Sequence, residues 1–156
     1  MKTLLTSIQT TLRANVGAGD TLSYVLSNNI RVVAPRGLPP LRVGQLPFIG
    51  IAPMNSPERW KTNAQREASH IVEIYCVLHY PSEEAAIIGS GTQKGITDML
   101  DDVTGLLRNQ RFSSHLATPF ELTEVSYALT GEGDLLHLIV AVLRFEGKRI
   151  FSSTLP

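Results

Sequence analysis

The chain has one cysteine, Cys76, among 156 residues. A single thiol excludes an intrachain disulfide and any cysteine-built metal cluster. Cys76 lies in the apolar run Ile74, Tyr75, Cys76, Val77, Leu78. Free cysteine there is read as a small core residue rather than as a nucleophile. Charge of one sign is also lacking, because 14 Lys and Arg balance 14 Asp and Glu. Neutralising phosphates needs a basic excess, so the balance argues against a general nucleic-acid binder and leaves open only a local basic contact. No apolar run reaches the length of a membrane-spanning helix. Polar residues interrupt positions 1–8 too early for a signal peptide, so the expected compartment is the cytoplasm or a particle assembled there. His70, His79, His115 and His137 are scattered, with no pair at metal-ligand spacing on one helix. Serine, histidine and aspartate all occur, but no Gly-x-Ser-x-Gly elbow does. What remains is ordinary globular composition, 43% hydrophobic and 18% charged, in a length that suits one domain over residues 1–156.

The charge is unevenly placed. Residues 31–66 hold six of the nine prolines and six basic residues against one acid, Glu58. Residues 67–102 hold seven acids against one base, Lys94. The two stretches read +5 and −6 within a neutral chain. A proline-stiffened basic arm beside an acidic body suits head-to-tail contacts between identical subunits, which points to assembly rather than chemistry.

Periodicity sets the elements. Leu4, Leu5, Ile8 and Leu12 predict an amphipathic helix over residues 3–14. Residues 30–34 and 48–52 read as short strands, each ended by a proline. Residues 54–68 read as a long polar loop holding the only tryptophan, Trp60. Residues 70–80 form the clearest strand, with Val72, Ile74, Cys76, Leu78 and Tyr80 facing a core. Ile96, Met99, Leu100, Val103, Leu106 and Leu107 predict a second helix over 92–109, capped by Thr92. Asp98, Asp101 and Asp102 are expected to face solvent on its early turns, where acids suit the dipole. Residues 121–130 and 135–145 predict a hairpin around Gly131, Glu132, Gly133 and Asp134. The second of its strands, apolar on both faces, is expected to be central in the sheet. The expected fold is α+β, a mostly antiparallel sheet on two amphipathic helices with a long proline-rich arm.

Two segments invite chemistry. The turn with Gly89, Gly91 and Gly95 precedes a helix, and free amides there can hold a phosphate. It lacks the Gly-Lys-Ser/Thr ending of a phosphate loop, so a flexible loop with a helix cap is the plainer reading. Trp60 stands between Arg59 and Lys61, and tryptophan and arginine are enriched at interface hot spots. The alternative is that Trp60 folds back over its own domain.

The order of elements resembles tail terminator proteins of long-tailed bacteriophages, also called tail completion or tail-to-head joining proteins. The likeness runs over residues 3–146. It rests on the N-terminal helix, the extended proline-rich region, the strand His70-Ile71-Val72-Glu73-Ile74-Tyr75-Cys76-Val77, the helix Gly95-Ile96-Thr97-Asp98-Met99-Leu100-Asp101-Asp102-Val103 and the closing hairpin. The resemblance implies a structural virion protein. Such proteins form a ring, typically a hexamer, on the head-proximal end of the tail tube. The ring stops tube polymerisation, presents a surface to the head-tail connector and lets DNA pass through its bore without sequence-specific binding. It implies no catalytic residue, cofactor, metal or membrane. The candidate interface residues are Arg36, Arg42, Arg59, Lys61 and Arg66 for charge, with Asp98, Asp101 and Asp102 as their acidic counterparts. Phe48, Ile49, Ile51, Met54 and Trp60 are candidates for its apolar centre. Two alternatives stand beside this reading. One is another head-tail adaptor or minor tail protein. The other, of a different class, is a small nucleotide- or metabolite-binding protein using Gly89 to Gly95.

Overall fold

A computed structural model of the chain describes residues 1–35, 38–62, 64–79, 83–112, 115–130 and 138–152. The apolar spacing near the N-terminus produces helix α1, Lys2–Arg13, with Leu4, Leu5, Ile8 and Leu12 buried. Strands β1 (Ile30–Val32), β2 (Phe48–Pro53), β3 (Glu58–Thr62) and β4 (Gln65–His79) follow. A short helix, α2 (Glu83–Ile88), comes before the longer α3 (Ile96–Leu107), whose Ile96, Met99, Leu100, Val103 and Leu107 are buried. Strands β5 (Glu121–Thr130) and β6 (Leu138–Ser152) close the chain. Helix α3 starts later than its pattern predicts. Its N-cap is Gly95 rather than Thr92, and the Asp98 carboxylate accepts a hydrogen bond from the Gly95 amide at 3.0 Å. That carboxylate satisfies one of the free amides every helix start exposes.

The six strands form one sheet in the order β1-β2-β4-β6-β5, with β3 also paired to β4. Only β1 and β2 run parallel. The fold is therefore α+β with a mostly antiparallel sheet on amphipathic helices. The spine is the β4–β6 ribbon, paired continuously from Gln65↔Ser152 to His79↔Leu138. Fifteen residues per strand make it about 50 Å long. Strand β6 lies between β4 and β5, which explains why its sequence is apolar on both faces.

Alternation assigns each strand residue to a face. Val72, Ile74, Cys76 and Leu78 of β4 and Ile139, Ala141, Leu143 and Phe145 of β6 pack with α1 and α3 in the main core. On the opposite face, Phe48, Val77 and Val140 form a smaller cluster under Val33, Leu38, Leu41 and Leu46. This second cluster corrects the arm. Leu38, Leu41 and Leu46 fold back onto the sheet instead of extending into solvent. Arg36, Tyr80, His137 and the expected turn at residues 131–134 lie outside the described residues.

Two further expectations change. Within residues 54–68, expected as loop, residues 58–62 and 65–68 are strand. Strand β3 and the start of β4 form a hairpin, with Arg59↔Glu67 and Trp60↔Arg66 as cross-strand pairs. All five β3 residues are exposed, so no apolar alternation marked the strand. The last strand, expected to end at residue 145, runs on to Ser152, because β4 is long enough to pair with it.

Candidate assembly interface

The β4–β6 ribbon outruns the rest of the sheet. Strand β2 pairs with β4 only over Val72–Val77, and β5 pairs with β6 only up to Glu146. Residues 58–62, 65–69 and 147–152 therefore make a three-stranded blade in the order β3-β4-β6.

On one face of the blade, Trp60 is 51% exposed. The Arg66 guanidinium lies over its ring, 4.2 Å from the centroid. Arg66 also reaches Glu58 at 4.0 Å. On the other face, Arg59 donates two hydrogen bonds to Glu67, at 3.1 and 2.7 Å. Lys148 approaches the same carboxylate at 3.6 Å. The Arg59 hydrogen bonds hold the Glu67 carboxyl below the ordinary glutamate value, against burial, with help from the charges of Arg59, Lys148 and Lys61. Arg59 and Arg66 are thus engaged within the blade. Lys61 is exposed, as is Arg42 at the turn before β2.

The remaining candidates divide. Phe48, Ile49 and Ile51 are wholly buried, which corrects their assignment to an apolar interface centre. Phe48 fills the smaller cluster, while Ile49 and Ile51 face the helices. Met54 is half-buried, and its amide bonds to the Ile71 carbonyl at 2.9 Å. Of the three aspartates, only Asp101 faces solvent freely. Asp98 caps its own helix. Asp102 accepts the Tyr24 hydroxyl hydrogen bond at 2.9 Å and pairs with Lys94 at 3.5 Å. Burial, then the Asp102 contact, pushes the Tyr24 phenol well above its usual value. Among the described residues, no ion pair joins an acid of α3 to a base of the blade.

The glycine turn is built for compactness. A Cβ at Gly95 would sit 2.3 Å from the Gly89 nitrogen and 2.4 Å from the Ile87 carbonyl oxygen. Gly89 has φ +80°, and a Cβ there would meet the Gln93 carbonyl oxygen at 2.4 Å. With Asp98 already on the Gly95 amide, an anion at this helix start would face a carboxylate. A cleft of about 310 Å³ opens nearby between Tyr24, Leu46, Pro47, Leu78, His79 and Lys94. Its lysine is the one paired with Asp102.

Several features had no signal in the sequence. Arg144 bridges Glu73 at 2.9 Å and Glu124 at 2.7 Å across three strands. Tyr75 donates to Glu73 at 2.9 Å, and burial followed by this bond pushes its phenol up to about 12. His70 stacks on His115 with ring centroids 5.7 Å apart and bonds Ser56 at 3.1 Å. Desolvation first, then the positive charges of the N-terminus, His115 and Arg149, hold His70 down at about 4. These contacts join residues tens of positions apart and depend on strand register. Among the described residues, no three His, Cys, Asp or Glu side chains gather as metal ligands. No helix of the described residues is long and apolar enough to cross a membrane. No protein-family model matches the chain, and no curated protein matches it significantly.

Proposed function

We propose that this chain is a structural assembly protein that forms a ring on the head-proximal end of a bacteriophage tail tube, ends tube growth and offers the joining surface to the head connector. Following the resemblance, the ring has six members and DNA passes through its bore. The observation that carries the reading is the blade. An isolated domain gains little from extending two strands past its core and leaving its only tryptophan half in water. An assembly protein gains a rigid prong. Trp60 presents a large apolar surface at low entropy cost, and Arg66 holds the ring in place.

The blade also meets the needs of a reversible encounter. Its edge strand is short and carries Glu58, Arg59 and Lys61, features that keep an open edge from pairing indiscriminately. Its internal ion pairs fix the side chains before contact, which lowers the ordering cost of binding. Less favours the nucleotide-binding alternative, because the Gly95 amide is already hydrogen-bonded to Asp98 and backbone atoms crowd Gly89 and Gly95.

Light scattering and negative-stain imaging of the purified protein test the reading. A closed ring of about six copies supports it. A protein that stays monomeric up to its solubility limit overturns it.

A further inference from the structure

The two ends of the sheet are chemically complementary, and we infer that a second copy of this chain docks its β1 edge against the β5 edge of the first. This inference rests on the ring reading above and adds a second contact between ring members to that of the blade.

Strand β5 is exposed over residues 123–128 on both faces. On the helix side, Val125 and Tyr127 sit opposite Leu143 and Ala141 of β6. They are 38% and 58% exposed, because the helices stop short of this edge. On the other side, Glu121 lies directly across from Glu146 and Glu124 across from Arg144. Arg144 satisfies Glu124 at 2.7 Å. Glu121 and Glu146 have no ion-pair partner among the described residues, although like charges directly opposite on a sheet repel. The β5 segment contains two acids and no base.

The β1 edge carries the same two-faced pattern with the opposite charge. Val32 aligns with Ile51 and Ile74 on the helix side and is 45% exposed. Arg31 aligns with Gly50 and Tyr75 on the other side and is exposed. Beside it lies a groove of about 370 Å³ between Arg31, Val32, Val33, Ala34, Leu38 and Pro39. If the sheet continues from one copy to the next with the helices on one side, apolar meets apolar. On the opposite side, Arg31 comes to Glu121 and Glu146. The contact is made mainly by side chains, because Gln9 and Arg13 of the same chain already occupy the outward Ile30 carbonyl. The two surfaces differ and lie at opposite ends of one sheet, so the contact is heterologous and propagates until it closes.

The test is a charge swap in the full chain, read by sedimentation equilibrium, with thermal melts confirming that each variant folds. Arg31→Glu and Glu121→Arg should each weaken self-association by roughly tenfold or more, because each sets like charges against each other. The double variant should return to within a few-fold of the parent. Tyr127→Ser, at an exposed position, should weaken association without shifting the melt. A parent that assembles while folded single variants assemble equally well overturns this interface and leaves the ring reading standing. Singles that weaken without rescue by the double also overturn it. A parent that never assembles overturns both.

Discussion

Replacing Trp60 by alanine should separate assembly from folding. Within the chain, the Trp60 ring is half exposed and its notable partner is the Arg66 guanidinium at 4.2 Å. A cation–π contact at such a site contributes about 0.5–1 kcal/mol. For a chain of this size, 1 kcal/mol shifts the midpoint by about 2–4 °C, so Trp60→Ala should lower Tm by no more than about 4 °C. An interface anchor behaves differently. Truncating a hot-spot tryptophan costs about 2 kcal/mol or more per contact, roughly a thirtyfold loss of affinity. The pair of measurements is a fluorescence- or dichroism-detected melt and the sedimentation of the same samples. The expected outcome is a nearly unchanged melt and an assembly equilibrium displaced toward smaller species. Full assembly by Trp60→Ala would refute the role of the blade. A Tm loss well beyond 4 °C would show instead that Trp60 covers its own domain.

The other predictions are more local. Acid should destabilise the fold through His70. Its folded value near 4 lies below the ordinary 6.5, so the unfolded chain binds the proton more readily and stability falls as pH drops from about 6.5 towards 4. The loss should reach about 3 kcal/mol, and His70→Asn should reduce it, as chemical denaturation at stepped pH would reveal. Gly95→Ala should cost roughly 2 kcal/mol or more in the same assay, because the new methyl meets backbone atoms that cannot swing aside. Asp98→Ala should cost about 1 kcal/mol through loss of the helix cap; no change would mean the cap is idle. Burial pushes the Cys76 thiol up to about 12, so it should resist thiol reagents in the native protein and react on unfolding.

The elements that could be read from the sequence were those with an apolar stripe. Helices α1 and α3 and the core half of β4 announced themselves through residues such as Ile8, Met99 and Ile74, because burial on one face imposes a period. Strand β3 did not, since Glu58, Arg59, Trp60, Lys61 and Thr62 are all exposed and pairing to β4 alone keeps them extended. The proline-rich segment looked like a free arm because its leucines are sparse. Leu38, Leu41 and Leu46 nonetheless find a second small core on the far face. Regional charge counts misled for a related reason. They place Glu67 in an acidic body and Arg59 in a basic arm, yet one hairpin turn brings the two to 2.7 Å. Trp60, Arg59, Lys61 and Arg66 do share the blade, as their nearness in the chain suggested. The exposed row of Val125 and Tyr127 was hidden because apolar alternation in a strand normally signals burial.

The most direct test of the central claim is the mass of the purified protein in solution, taken together with negative-stain images of the same sample. A ring protein gives one species of about six copies, seen as closed rings with an open centre. A protein that remains a monomer at every concentration up to its solubility limit would contradict it.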